Sequence, residues 1–196
     1  VVVPATLLSQ QTRHMGRLSN VGVRTEHVAR VALQDAPMTP FRQEARALSG
    51  VERVGAVRNL PLDGRTTTAS LRSDRRADPL SSIYYPADYE ALRILGFPLT
   101  TTDEWSEARY ESGQVIVAND AATRALGFES AETALGALVT LERDTTRQVR
   151  IAAVVPNFYF RLLHERPNEP VIFHHNPAEY RAAIAEVSPP RAQAAL

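Results

Sequence analysis

The segment VVPNFYFRLLHERPNEPVIF, Val154 to Phe173, sets His164 beside Glu165, and His174 and His175 follow directly. A carboxylate next to an imidazole can raise its basicity, which is what a general base requires. Neighbouring side chains on an extended segment point apart, however, so adjacency alone does not make a pair. A zinc helix of the HExxH kind needs a second histidine where Asn168 stands, and Pro167 and Pro170 forbid the helix. On a strand, one of His174 and His175 faces the core and the other faces solvent. They bind a metal only if further ligands converge on them. The bland reading is a structural corner braced by Pro156, Pro167 and Pro170, in which Phe158, Tyr159, Phe160, Leu162 and Leu163 clamp the end of a hairpin. That is the reading adopted. An enzyme using His164 with His174 or His175 stays as the alternative.

Other chemistries are removed by composition. The chain has 196 residues, no cysteine, and 22 basic residues that are all arginine. Thiol nucleophiles, disulfides, cysteine-held zinc, a phosphate-loop lysine and Schiff-base lysines are therefore absent. No GxSxG or GxGxxG pattern occurs, and Glu107, Glu111, Glu129 and Glu132 are scattered, with no acid–base pair among them. A formal net charge of zero supplies no global field for nucleic acid. Hydrophobic residues at 44% and charged residues at 22% describe a globular chain.

The elements that position these residues follow from pattern and punctuation. HVARVALQ reads as a strand, APMTPFRQEARALSG as a helix, and VERVGAVRNLP as a second strand ending at Pro61. Thr39 is the expected helix cap with Pro40 first in the helix, and Phe41, Ala45 and Leu48 make the apolar stripe before Gly50 stops it. LDGRTTTASLRSD predicts an exposed strand. DPLSSIYYPADYEALRILG holds a short helix with Tyr89, Leu92 and Leu95 on one side and Gly96 as its stop. FPLTTTDEWSEARYESG reads as an irregular polar loop, with Trp105 either a partner anchor or, preferred, a pin to the body. QVIVANDAATRALG is strand then helix, capped by Asn119 or Asp120, and SAETALG is one helical turn. ALVTLERDTTRQVRIAAVVP is a hairpin turning near Asp144, with Val149, Ile151, Ala153 and Val155 on one face and Gln148 and Arg150 on the other. EPVIFHH and AAIAEV are further strands, and SPPRAQAAL starts a helix capped by Ser188. The fold class is α+β in two lobes, with a boundary between Pro98 and Gly113.

At the start, the apolar run Val1 to Leu8 is shorter than the ~20 residues of a membrane span and has no basic flank of a signal peptide. It is a short strand or the tail of a membrane helix. In the second case the arginines from Arg13 to Arg30 face lipid head groups. The chain reads as cut at both ends.

The order of segments resembles the periplasmic core domain of MacB-like and FtsX-like permeases of ABC transporters. The likeness is carried by VGVRTEHVARVAL, LSGVERVGAVRNLP, YYPADYEALRILGFPL, GQVIVANDAATRALGF with its central Asn119, and the stretch from Val154 to Phe173. Two departures stand out: LTTTDEWSEAR replaces a Gly-Arg or similar pair, and the family's further strand beyond a helix like SPPRAQAAL is absent. The resemblance implies a membrane-helix end and exit segment at 1–26, a porter-like α/β lobe at 27–98, a sabre-like β-rich lobe at 99–181, and a truncated return at 182–196. It implies no catalysis, no cofactor, and no catalytic, cofactor-binding or metal residue. Location is the bacterial inner membrane, facing the periplasm. Partners are a cytoplasmic ABC ATPase subunit and a periplasmic adaptor, lipoprotein or cell-wall enzyme, with a dimer in the full transporter and no nucleic acid. The role is to relay movement of membrane helices outward. A standalone ligand-binding module, which needs a closed apolar pocket, is the third reading.

Overall fold

Strand-forming runs at the two ends of the chain meet in one small sheet. The computed structural model describes residues 27–33, 36–60, 66–143, 145–158 and 168–188. Within them β1 (Val28–Ala32) and β2 (Val51–Val57) flank β10 (Ala182–Val187), both antiparallel to it. β1 and β2 are thus parallel to each other, and the connection between them is α1 (Met38–Arg46), a β-α-β unit split by a late strand. α1 starts before the expected cap at Thr39: Pro37 precedes it in an extended conformation and no side chain among the described residues caps it. Pro40 is tolerated because the first-turn N–H groups have no partner inside the helix anyway. Met38, Phe41 and Ala45 pack on Ala29, Leu33, Val54, Ala183 and Ala185, while Leu48 lies past the helix end and is 61% exposed.

The second sheet is a ring. Its strands are β3 (Thr68–Arg72), β4 (Leu80–Pro86), β5 (Thr100–Thr101), β6 (Val115–Asn119), β7 (Leu138–Glu142), β8 (Thr146–Val155) and β9 (Val171–His174). They run β5-β8-β6-β9-β4-β3-β7, and β7 pairs again with β8. The first half of β8 pairs with β7 and its second half with β6, so six strands close on themselves and β5 extends the far end of β8. Closure removes free edges. Leu71, Tyr84, Ile116, Val139, Leu141, Val149, Ile151 and Ile172 form one buried cluster with Leu126 and Phe128.

β8 departs from simple alternation. Val149 and Ile151 join that cluster, but Ala153 and Val155 belong to the cluster on the other side, and Val154 takes over the first. The cause is a register shift: Ile116 pairs with Ile151 and Val117 with Ala153, which leaves Ala152 as an extra residue. One inserted residue reverses the parity of every side chain after it.

Two further corrections concern the middle of the chain. β4 lies inside the region expected to hold only a helix, and α3 (Glu107–Glu111) and β5 lie inside the expected loop. Ser106 caps α3 by accepting from the Arg109 N–H. The chain passes from the small sheet to the second sheet between Val57 and Thr68. Elsewhere α4 (Asp120–Ala125) is capped by Asn119, and α5 (Ala131–Ala134) is the single turn expected, boxed by Ser130 and Thr133.

α2 (Tyr89–Leu95) joins the two sheets. Leu92, Ile94 and Leu95 share one core with Val28, Val57, Ala182 and Ile184 of the small sheet and with Val117, Val155, Val171 and Phe173 of the ring. Gly96 ends it in the left-handed region at φ 68°. The approach to β2 is so close that a Cβ on Gly55 would lie 2.4 Å from the Ala91 nitrogen. Among the described residues no helix is long and apolar enough to cross a membrane.

Candidate functional site

The seam between the small sheet and the ring holds the two buried carboxylates, Asp88 and Glu179. At one end Asp88, between β4 and α2, is 1% exposed. Its N–H donates to the Ala56 carbonyl at 3.0 Å, its Oδ1 accepts from the Ala91 N–H at 2.8 Å as the cap of α2, and its Oδ2 takes the Arg42 guanidinium from α1. Burial pushes the Asp88 carboxyl up to about 6, against the pull of the backbone at Ala56 and Ala91 and of the Arg42 charge, with Glu111 adding to the rise. Around it, the Tyr110 hydroxyl donates to the Ala87 carbonyl at 3.1 Å, and the Tyr180 hydroxyl lies 3.0 Å from His175 Nδ1. Burial raises both phenols well above the ordinary tyrosine value.

At the other end Glu179, on a 3₁₀ turn (Pro177–Glu179), is 7% exposed and fully engaged. Arg143 holds both its oxygens at 2.8 Å, Asn176 Nδ2 donates to Oε1 at 3.0 Å, and Arg58, just past β2, reaches Oε2. Burial alone pushes this carboxyl up, but the hydrogen bonds and charges of Arg143 and Arg58 outweigh it and hold it below the usual value. Arg143 also donates to the Thr68 carbonyl at 2.8 Å and lies 4.6 Å over the Tyr84 ring. Arg58 belongs to the small sheet and Arg143 to the ring. Glu179 therefore ties the two together.

The histidines serve this framework. His174 is buried; its Nε2 lies 2.9 Å from the Gly113 carbonyl and its Nδ1 3.0 Å from the Tyr84 hydroxyl. A carbonyl only accepts, so Nε2 carries the proton and Tyr84 donates to Nδ1. Burial lowers the His174 pKa and keeps the ring neutral. His175 is half-buried and held by Tyr180. The two do not converge, and among the described residues no group of three or more His, Asp or Glu could hold a metal. His164 and Glu165 lie outside the described residues, as do Tyr159, Phe160, Leu162 and Leu163. Phe158 is buried against Phe97 and Phe173 at ring distances of 4.8 and 5.8 Å. Trp105 sits half-buried between the Tyr89 and Tyr110 rings, at 5.8 and 5.5 Å, as a pin.

A cleft of about 560 Å³ opens beside β8, lined in part by Asp103, Glu104, Arg109 and Arg150. It is open and charged, unlike the closed apolar pocket of a small-molecule binder.

Sequence reading missed Asp88 and Glu179. For Asp88 a signal existed: an acidic residue directly before the helical run YEALRIL is a capping pattern. For Glu179 there was only NPAEY, a proline-opened turn.

No family model and no curated protein matches the sequence. The fold does match solved structures. The periplasmic region of MacB from Actinobacillus actinomycetemcomitans aligns over 92% of this chain and 82% of its own, with TM-score 0.61 and 11% identity. The extracellular domain of the noncanonic ABC-type transporter YknZ from Gram-positive bacteria aligns over 81% and 79%, with TM-score 0.55 and 9% identity. A domain described as part of a permease protein from Porphyromonas gingivalis aligns over 82% of this chain and 64% of its own, with TM-score 0.53 and 16% identity. This chain shares the fold of these domains.

Proposed function

We propose that this chain is the extracytoplasmic domain of an ABC transporter permease and relays movement of membrane helices to a substrate or partner outside. The observation that carries the proposal is the likeness of its fold to the MacB periplasmic region over 92% of its length. On this reading it faces the periplasm at the bacterial inner membrane. A cytoplasmic ATPase supplies the work, a second copy completes the transporter, and the domain itself breaks no bonds. Relay requires stiff bodies joined at a defined seam. A closed ring is a stiff body, and the charged contacts that cross the seam at Asp88 and Glu179 are discrete attachments able to transmit a displacement.

Two experiments test this; these 196 residues contain no cysteine, and any cysteine elsewhere in the full-length protein is first replaced. The first places a cysteine at exposed Leu48 or Leu138 of the full-length protein and labels intact cells with a membrane-impermeant thiol reagent. Labelling is expected; protection until the cells are lysed overturns the location. The second uses Val57→Cys with Ala87→Cys, which pair across the seam in an isolated β-bridge. Oxidation is expected to abolish transport while ATP hydrolysis continues, with recovery on reduction. Undiminished transport by the cross-linked protein overturns the relay.

A further inference from the structure

We propose that the Arg42–Asp88 contact is a proton-operated latch that holds α1 to the seam at neutral pH and releases it in mild acid. The inference concerns the chain alone and stands whether or not the domain serves a transporter. α1 covers one face of the small sheet, and α2 packs on β2 from the ring side. Ala87 and Asp88 lie along the edge of β2 that β10 leaves free, through the Val57–Ala87 bridge and the Asp88 N–H bond to Ala56. Arg42 reaches from α1 to this edge, so its contact with Asp88 straps α1 to the start of α2.

Two features make the strap releasable. The Arg42 side chain remains partly open to solvent, 28% of it exposed, so water can receive it without unfolding the sheet. In its docked position the Arg42 Nε is buried without a hydrogen-bond partner among the described residues. Leaving the seam would hydrate that donor, and the ionised Asp88 is what keeps Arg42 from doing so. Protonation removes that hold. The neutral carboxyl still caps α2, because Oδ1 can go on accepting from the Ala91 N–H. Only the α1 side lets go.

The other groups facing Asp88 reinforce this. Glu111 from α3 opposes its ionisation, and the Tyr110 and Tyr180 phenols are held neutral by burial. His175 is kept below its ordinary value by burial and then by the Arg42 charge, so it is no rival cation at neutral pH. Once Arg42 leaves, one of the two influences holding His175 down is gone, and a protonated His175 repels Arg42 from returning.

The test is amide hydrogen exchange of residues 38–46 in the full chain, corrected for intrinsic rate, at pH 7.5 and pH 5. Protection of α1 is expected to fall about tenfold or more at pH 5, as loss of a charge-assisted bond implies, while α2 stays protected. Asp88→Asn keeps the cap but cannot ionise, and is expected to show the low α1 protection at both pH values. Equal wild-type protection at the two pH values overturns the latch, as does a pH step that persists in Asp88→Asn. Should Asp88→Asn fail to fold, Arg42→Gln leaves the cap untouched and must likewise abolish the step. A step that survives in Arg42→Gln overturns the proposal equally. The carboxyl carbon of Asp88 read by NMR is expected to titrate near pH 6, and a midpoint near that of an ordinary aspartate also overturns it.

Discussion

The two ends of the seam solve the same electrostatic problem in opposite ways. Asp88 and Glu179 are both buried carboxylates and both meet arginines from the small-sheet side, Arg42 and Arg58. Glu179 has a second arginine in bidentate geometry and an amide besides, so its charge is over-satisfied and its pKa falls. Asp88 has one arginine and a helix cap, too little to repay its desolvation, and its pKa rises. Burial sets a cost at both, heavier at Asp88, which is 1% exposed, than at Glu179 at 7%, and the donors around each decide how much of it is offset. One end of the seam is a rivet, the other a catch. On the proposed relay reading both are needed, since a body held everywhere by rivets cannot move and one held only by catches cannot transmit.

The largest effect that sharpens this contrast is Glu179→Ala. It strands two guanidinium groups in partly buried positions and should lower unfolding free energy by about 3–5 kcal/mol in urea titration. Asp88→Asn should not lower it at pH 7, because it removes an ion whose burial is poorly repaid. Equal losses in the two variants would erase the distinction between rivet and catch. Next in size is the pH dependence. The folded pKa of Asp88, about 6, lies above the unfolded 3.8, so its stabilising contribution is complete below pH 3.8 and is lost as pH rises through 6. That difference of roughly two units corresponds to about 3 kcal/mol. Glu179 is depressed, so its contribution is present above the ordinary glutamate value and disappears as pH falls through its folded pKa. Stability should therefore rise on acidification from pH 7 towards 5, then fall in stronger acid. Asp88→Asn should remove the rise and leave the fall.

The division between what sequence showed and what it hid follows the range of the contacts. Elements set by neighbours in the chain were legible: the β-α-β opening, the Asn119 cap, the Ser130 turn and the β7–β8 hairpin all depend on residues a few positions apart. β4 was not, because a strand paired in parallel with β9 and buried on both faces shows a continuous apolar run, Ile83-Tyr84-Tyr85, instead of alternation. The parity of β8 was misread because a bulge at Ala152 leaves no mark in composition. The seam was the least legible of all. Asp88 meets Arg42 across 46 positions and Glu179 meets Arg58 across 121, so nothing local distinguishes them from the carboxylates that stay at the surface. In the sequence His164, His174 and His175 stand out because histidine advertises chemistry by type. Here His174 is a hydrogen-bond post, and the charged attachments are ordinary Asp, Glu and Arg.

That post permits the finest test of the comparison. Asn176 donates both to Glu179 Oε1 and, at 3.3 Å, to the Tyr84 hydroxyl, which in turn donates to His174 Nδ1. A chain of polar contacts thus runs from the Gly113 carbonyl to the arginines of the rivet, while among the described residues no comparable chain backs Asp88. Tyr84→Phe removes one link without opening a cavity, leaves His174 Nδ1 without its donor, and should cost about 1–2 kcal/mol in thermal unfolding. If the chain holds Asn176 in place for Glu179, the same variant should also raise the Glu179 pKa towards the ordinary value while leaving the Asp88 titration unmoved. A shift at both carboxylates would mean that the two ends of the seam respond as one unit, and that catch and rivet are the wrong division of the molecule.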